Sequence, residues 1–130
     1  LLARRMGKRV LLPRMIPGRS LEFAHVESLQ SMEAGRYGVL EPAANCPPER
    51  LPSESIVLVP GLAFDCRGGR LGRGAGYYDR AFAATDWSHG RPILVGVGFS
   101  FQVVESVPGN RADVRMSRVV TEGGFCTEIA

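Results

Sequence analysis

SIVLVP, at residues 55–60, is the stretch that decides the predicted fold. A continuous apolar run of this length, rich in β-branched residues, is typical of a strand in the buried centre of a parallel sheet. Gly61 follows the carboxyl end of this strand, which is where open α/β sheets bind their ligands. The stretch therefore predicts an α/β fold with a binding loop directly after residue 60.

On both sides of this strand, the sequence alternates between strand and helix patterns. Residues 1–7 have the pattern of a helix end closed by glycine, and a second helix is predicted to begin after Gly76. Four prolines predict a surface loop without regular structure at residues 41–54. The alternation predicts one α/β domain over residues 1–130, with a mostly parallel or mixed sheet flanked by helices. Its further strands are predicted at residues 8–13 (buried), 21–26, 93–99 and 118–121.

The composition is that of one soluble globular domain. The chain has 130 residues, of which 45% are hydrophobic and 22% charged, and its formal net charge is +3. This mild charge suits a small anionic ligand better than a duplex nucleic acid, which needs a concentrated basic face. All of the 16 basic residues except Lys8 are arginines, whose planar forks match phosphate and carboxylate oxygens in pairs. No apolar run approaches the length of a membrane span, so we expect neither a nucleic-acid nor a membrane partner.

The three cysteines, Cys46, Cys66 and Cys126, are odd in number and form no C-x-x-C pair. This pattern argues for a reducing compartment and against a disulfide scaffold or a zinc site. No charged segment followed by an apolar run opens the chain, so a cytoplasmic location is expected. The helix-end pattern at Leu1 also predicts that the chain begins within a domain.

The stretch DCRGGRLGRGAGYYD, at residues 65–79, contains five glycines within nine residues. Closely spaced glycines allow backbone N–H groups to turn toward one point, and the start of a helix behind them adds further donors. Arg70 and Arg73 bring two guanidinium groups to the same place, and a polyphosphate fits such a set of donors best. The alternative is a glycine-rich hairpin turn leading into a helix, with both arginines solvated, because G-x-G-x-G is neither of the established nucleotide fingerprints. The position after the strand at 55–60 favours the phosphate site.

Two aspartates are candidates for a metal site. Asp79 lies in the first turn of the predicted helix, where a carboxylate either complements the helix dipole or binds the Mg²⁺ of a nucleoside triphosphate. Asp113 is the sole aspartate between Trp87 and the carboxyl terminus, and it precedes the last predicted strand. It would therefore reach the site from the far side of the sheet.

At these residues the chain resembles the 5-formyltetrahydrofolate cyclo-ligase family. The match begins with VPGLAFD at residues 59–65 and GRLGRGAGYYDR at residues 69–80. Outside the loop, four further motifs occur in the family's order, so the resemblance covers nearly the whole chain. They are KRVLLPR at residues 8–14, YGVLEP at 37–42, GVGF at 96–99 and VVTE at 119–122.

The resemblance implies an ATP- and Mg²⁺-dependent ring closure of a small-molecule substrate by a monomeric enzyme. The substrate 5-formyltetrahydrofolate becomes 5,10-methenyltetrahydrofolate, and ADP and phosphate are released. The formyl oxygen accepts the γ-phosphoryl group because an amide oxygen is a very poor leaving group, and the folate N10 then attacks the activated carbon. The implied fold is NagB/RpiA/CoA transferase-like and N-terminally truncated, so the chain is the C-terminal portion of a cyclo-ligase domain.

The resemblance also implies roles for individual residues. Arg70 and Arg73 are the expected catalytic groups, Asp79 and Asp113 the expected Mg²⁺ ligands, and one of the two tyrosines is expected to face the site and the other the core. The expected folate contacts are Arg73, Gly74, Ala75, Gly76 and Tyr77. The expected ATP contacts are Arg70, Leu71, Gly72, Arg73, Gly74, Ala75, Gly76, Tyr77 and Tyr78.

The sequence departs from the family's pattern at a few positions. Ala75 stands where many members have Lys or Gly, and Ala112 and Ser117 replace polar residues that often accompany the second aspartate. The family's early basic residues at the ATP site and an acidic residue near the folate have no counterpart here. One alternative is therefore a non-catalytic nucleotide- or folate-binding homologue of the same family. Another, by fold analogy alone, is a sugar-phosphate isomerase or CoA-transferase type of enzyme.

Overall fold

The computed structural model describes residues 2–109 and 114–126. It divides the chain into two compact units, Leu1–Leu51 and Pro52–Ala130. The single domain over residues 1–130 stays a prediction. Within the described ranges, no helix has the length and the apolar composition that a membrane crossing requires.

The first unit is built from short antiparallel strands. After helix α1 (Leu2–Arg5), strands β1 (Leu11–Ile16) and β2 (Ser20–His25) form a hairpin. A second hairpin follows, and β5 completes a three-stranded sheet in the order β1-β2-β5. The later strands are β3 (Met32–Ala34), β4 (Leu40–Pro42) and β5 (Pro48–Glu49).

Two predictions about this unit are wrong. The strand predicted as buried at residues 8–13 begins at Leu11, is half-buried throughout, and continues past Pro13. The stretch 41–54 was predicted to lack regular structure, yet Pro42 and Pro48 lie in strands β4 and β5. A proline is tolerated at a strand end or on an edge strand, where its missing N–H breaks no ladder hydrogen bond, so prolines neither end β1 nor exclude β4 and β5.

The second unit contains a mixed four-stranded sheet. Strands β6 (Ile56–Pro60), β9 (Ile93–Val97) and β10 (Arg118–Thr121) run parallel, and β11 (Gly124–Cys126) pairs antiparallel with β10. The described strands have the order β11-β10-β9-β6. The predicted α/β class with a mostly parallel or mixed sheet is therefore confirmed, although helices are few.

The position of β6 in the sheet differs from the prediction. It lies at the end of the described sheet rather than in its centre, and Ile56 and Leu58 are 64% and 65% exposed. Val57 and Val59 of the same strand are buried on the other face, beside Leu94 of β9. A local run of apolar residues predicts a strand but carries no information about the neighbours with which that strand pairs.

A short hairpin and a helix complete the second unit. Strands β7 (Ala63–Phe64) and β8 (Arg70–Leu71) pair antiparallel, and helix α2 spans Tyr77–Ala83. Phe64 is fully buried, and a Cβ added at Gly96 of strand β9 would come within 2.5 Å of its ring. The hairpin is therefore anchored on the sheet by an aromatic ring that fits against a glycine.

The prediction against a disulfide is wrong. Cys66, in the turn between β7 and β8, forms a disulfide with Cys126 of β11, and their Cα atoms are 5.4 Å apart. The two cysteines are 60 residues apart in the sequence, so no local spacing motif predicts that they pair. Cys46 of the first unit is not disulfide-bonded. The argument from the cysteines for a reducing compartment therefore no longer holds.

Candidate phosphate-binding site

A cavity of about 520 Å³ lies in the second unit, beside the carboxyl end of strand β6. Its position agrees with the rule that open α/β sheets bind ligands outside the carboxyl ends of their strands. The volume lies within the range of small-molecule sites. The lining is formed by residues 60–62, Arg70, residues 72–79 and Gln102. Of the predicted ATP contacts, Leu71 is thus not among the described lining residues.

Arg70 is the most firmly held cation in this cavity. Its Nε donates a hydrogen bond to the Pro60 carbonyl at 2.6 Å, and its side chain is 9% exposed. The Nη1 atom lies 4.0 Å from Asp79 Oδ2, and the guanidinium carbon lies 5.3 Å from the centre of the Tyr78 ring. A guanidinium with this many partners is oriented before any ligand binds, which favours recognition of an anion with fixed geometry.

The other predicted arginine has a different environment. Arg73 lies in the glycine-rich loop and is exposed, as the hairpin-turn alternative expects of both arginines. Gly74 and Gly76 on its C-terminal side have φ angles of 88° and 71°, which a residue with a side chain adopts at a cost. The Ala75 carbonyl accepts a hydrogen bond from Arg80 Nη1 at 2.7 Å. The loop is therefore tied to helix α2, while Arg73 extends from it toward solvent.

Both tyrosines of the predicted site line the cavity. Tyr78 also packs on the core side, because its ring centre lies 5.9 Å from that of the buried Phe82. Burial raises the pKa of the Tyr78 hydroxyl, and the Arg70 guanidinium opposes this shift in part. At neutral pH the Tyr78 hydroxyl therefore remains protonated and is able to donate a hydrogen bond.

The metal-site predictions have different outcomes. Asp79 lies in the first turn of α2, lines the cavity and is 38% exposed at its side chain. Asp113 lies outside the described residues. Among residues 2–109 and 114–126, no group of three or more His, Cys, Asp and Glu side chains is arranged to hold a metal ion. One carboxylate is nevertheless a donor set that fits Mg²⁺ bound to a nucleotide, because that ion takes its remaining ligands from phosphate and water.

Asp65 has a role that the sequence alone did not indicate. Its carboxylate is buried in the β7–β8 turn and accepts three backbone N–H groups, each at 2.9 Å, from Arg67, Gly69 and Val107. Burial alone would raise the pKa of Asp65, but these three donors and the Arg115 guanidinium hold it below its usual value. The ionised carboxylate therefore fixes the hairpin that carries Arg70.

We predict that Asp65→Asn destabilises the fold by about 2 kcal/mol at pH 7, because an amide cannot accept from all three donors. The lowered pKa means that the unfolded chain binds this proton more tightly than the folded one. The stabilising contribution is thus fully present above the unfolded pKa of about 4 and declines as the pH falls toward the folded value. Urea unfolding at pH 7 and pH 3 measures both effects.

The control for this experiment is Asp86→Asn, which alters an exposed aspartate that accepts the Ser88 N–H. Its effect on the free energy of unfolding is expected to stay below about 0.5 kcal/mol at both pH values. An equal loss of stability in Asp65→Asn at pH 7 and pH 3 would show that the ionised carboxylate is not responsible.

The sequence predicts a binding loop directly after residue 60, and residues 60–62 line the cavity, whereas Gln102 was missed. Gln102 follows strand β9, and its side chain reaches the turn after strand β6, 40 residues earlier in the chain. A weak signal for the turn was present, since Gly61 follows the strand end. No local pattern indicated Gln102.

The fold and the cavity together define a class of protein. It is a mixed α/β protein in which a glycine- and arginine-rich loop lines a cavity at the carboxyl end of a parallel strand. Residues 1–122 match the model of the 5-formyltetrahydrofolate cyclo-ligase family, and the chain belongs to that family. The resemblance stated from the motifs is therefore confirmed.

Curated relatives and solved structures agree with this assignment. The chain is 33% identical over 123 residues to the 5-formyltetrahydrofolate cyclo-ligase of Escherichia coli K12, a match that covers 90% of this chain and 65% of the relative. It is 37% identical over 99 residues to the enzyme of the same name from Mycolicibacterium smegmatis, covering 70% of this chain and 46% of the relative.

Among solved structures, the NMR structure of Aquifex aeolicus 5,10-methenyltetrahydrofolate synthetase matches with a TM-score of 0.74 and 32% identity. That match covers 92% of this chain and 58% of the Aquifex chain. The synthetase from Mycoplasma pneumoniae matches with a TM-score of 0.64 and 20% identity, over 90% of this chain and 58% of that one, and shows a shared fold. The chain thus spans less than two thirds of the length of these relatives.

Proposed function

We propose that this chain contributes the phosphate-binding part of an enzyme that converts 5-formyltetrahydrofolate to 5,10-methenyltetrahydrofolate, with ATP consumed and ADP and phosphate released. The observation that carries the proposal is the oriented Arg70 guanidinium inside a cavity lined by the glycine-rich loop. The membership in the cyclo-ligase family and the names of the relatives support the choice of substrate.

The residues of the cavity suit the charge that develops in such a reaction. ATP supplies the phosphoryl group that converts the formyl oxygen into a leaving group. Arg70 is placed to hold phosphate oxygens in a fixed orientation, and stabilisation of developing charge by such fixed donors is a large part of catalysis. The exposed Arg73 side chain adds a second guanidinium to the cavity lining. The backbone N–H groups of residues 72–76 are further hydrogen-bond donors beside the same cavity.

The folate contacts are proposed on the exposed side of the same loop. Arg73 extends from the loop and Tyr77 lines the cavity, so both are available to a second ligand. Gly74 is exposed and has open space where a side chain would be, which allows a flat ligand to approach the loop backbone closely. Phosphate and folate would thus bind to neighbouring residues of one short stretch of chain, which brings the reacting groups together.

Asp79 is the proposed Mg²⁺ ligand. Its carboxylate lies beside Arg70, so a metal held there would lie next to the phosphate oxygens that Arg70 binds. A bound Mg²⁺ would neutralise part of the charge of the triphosphate. A role for Asp113 as the second ligand is part of the proposal on the family resemblance alone.

We predict that Asp79→Asn raises the Mg²⁺ concentration needed for half-maximal activity by about tenfold, equivalent to about 1.4 kcal/mol of binding free energy. The amide loses the negative charge that attracts the cation. A Mg²⁺ titration of the initial rate at saturating ATP measures the shift, with Glu105→Gln, which alters an exposed residue outside the cavity, as the matched control. A titration curve identical to that of the unmodified chain would refute the metal assignment.

A cytoplasmic location and a monomeric state belong to the proposal, as does the absence of nucleic-acid and membrane partners. The mild net charge of +3 supports a small anionic ligand in preference to a nucleic acid. The Cys66–Cys126 disulfide removes the support that the cysteine pattern gave to a reducing compartment.

The test of the proposed function is the formation of methenyltetrahydrofolate, followed by its absorbance. The full-length protein that contains this chain is mixed with 5-formyltetrahydrofolate, ATP and Mg²⁺, and the Escherichia coli relative serves as a positive control. We expect product that depends on ATP and is abolished by chelation of Mg²⁺. Measurable folate binding without ATP-dependent product would instead favour the non-catalytic binding homologue.

A further inference from the structure

The side chain of Gln102 joins the carboxyl ends of two neighbouring parallel strands. It lies in the single helical turn Ser100–Gln102 that follows β9. Its Nε2 donates hydrogen bonds to the carbonyls of Gly61 and Leu62, at 2.9 and 3.2 Å, in the turn after β6. Its Oε1 accepts the N–H of Phe99 at 2.8 Å. One amide therefore fixes both chain segments that leave the sheet beside the cavity.

The hydrogen-bonding capacity of this amide is almost fully used. A glutamine amide has two donor hydrogens, and both find acceptors in the turn. The fit is tight, because a Cβ added at Gly98 would lie 3.0 Å from Gln102 Oε1. Although Gln102 lines the cavity, its polar atoms are directed at the protein backbone. It is thus suited to position other groups.

The turn that Gln102 holds is also the turn that orients Arg70. The Pro60 carbonyl accepts the hydrogen bond from Arg70 Nε at 2.6 Å. The Leu62 N–H donates to the Leu71 carbonyl at 2.7 Å, which joins the turn to strand β8, where Arg70 lies. A shift of the turn would therefore move both the acceptor of the Arg70 guanidinium and the strand that carries its backbone.

We propose that Gln102 is a positioning residue for the reaction: it holds the turn at residues 60–62 so that Arg70 points into the cavity with its forked donors aligned. This inference rests on the function proposed above for the same cavity. It assigns a role to a residue whose side-chain amide bonds the protein backbone and acts through the Pro60 carbonyl. Misplacement of a catalytic group by a fraction of an ångström to one ångström is enough to slow a reaction severely.

The decisive variant is Gln102→Glu, because it keeps the size of the side chain and an acceptor for the Phe99 N–H while it loses both donors to the turn. We expect kcat to fall about tenfold or more, with KM for ATP changed by less than about threefold, since alignment in the transition state is lost while the loop remains. Gln102→Ala should lower kcat by as much. The matched control is Gln30→Ala, an exposed glutamine in the first unit, which should leave both constants unchanged.

Amide hydrogen exchange gives a readout that does not need activity. In Gln102→Glu the Leu62 amide should exchange about tenfold faster, while the Phe99 amide stays protected by the remaining acceptor. In Gln102→Ala both amides should exchange faster. A general loss of stability would accelerate exchange across the sheet and would not separate these two amides.

The outcomes distinguish this inference from the proposed function. A kcat within twofold of the unmodified chain in Gln102→Glu overturns the positioning role even if the enzyme is a cyclo-ligase. If the full-length protein forms no ATP-dependent product, the proposed function fails, and the exchange experiment still decides the role of Gln102. Unchanged Leu62 exchange in Gln102→Glu then overturns the link between Gln102 and the turn.

Discussion

Arg70→Ala should lower kcat/KM for ATP by on the order of a thousandfold, the size of effect seen when a fixed donor to developing charge is removed. The side chain is nearly buried, and its Nε bond to the Pro60 carbonyl orients it before the ligand arrives. Alanine removes both the charge and the orientation. Steady-state kinetics with ATP varied at saturating 5-formyltetrahydrofolate measure the loss.

Two variants separate charge from geometry at this position. Arg70→Lys keeps a cation but loses the planar fork, and we expect it to remain at least tenfold below the unmodified chain. The control is Arg118→Ala, which removes an exposed arginine whose Nη1 donates a hydrogen bond to the neighbouring Ser117 carbonyl. This variant should leave the reaction rate unchanged. An Arg70→Ala variant with an unchanged kcat/KM would contradict the role given to Arg70.

Phe64→Ala should produce the largest loss of stability, about 4 kcal/mol of unfolding free energy. The ring is fully buried and closely approaches Gly61, Gly96 and Gly98, so its removal leaves a cavity that small residues cannot fill. The corresponding fall in Tm is roughly 10 °C or more. Thermal unfolding followed by circular dichroism provides the measurement.

The control for this loss is Phe101→Ala, because the Phe101 ring is 80% exposed and stacks on Phe99 at the surface. Its expected effect is below about 1 kcal/mol. Equal losses in the two phenylalanine variants would mean that the β7–β8 hairpin is not anchored by the Phe64 ring. The position of Arg70, which lies on that hairpin, would then need another explanation.

The elements that local patterns could predict are those with long, uniform signals. The strands at 55–60, 93–99 and 118–121 and the helix after Gly76 were located to within about two residues, because their apolar residues repeat with a clear period. The β7–β8 hairpin was one of two alternatives for the glycine-rich stretch and its strands were not located, since each strand has two residues and glycines fill the turn between them. The prolines at 42 and 48 misled for a related reason, because edge pairing is not visible in a local composition.

The residues of the candidate site also differ in whether a local pattern could predict them. The stretch 70–79 could be predicted because its arginines, glycines and Asp79 are contiguous and their chemistry shows in the sequence. Gln102 could not, since its contact with the turn at 60–62 depends on the parallel pairing of β6 with β9. The Cys66–Cys126 disulfide depends in the same way on contacts that join distant parts of the chain. Side chains that position a site are harder to find than those that form it.

The central claim is that the glycine-rich loop and Arg70 bind the phosphates of ATP. A ¹H–¹⁵N NMR titration of the chain with MgATP tests this claim most directly, because it locates the ligand without requiring turnover. The account predicts that the largest shifts occur at the amides of Gly72, Gly74 and Gly76 and at the Arg70 Nε–H. Saturable binding of MgATP that leaves these signals unchanged and perturbs residues elsewhere would contradict it.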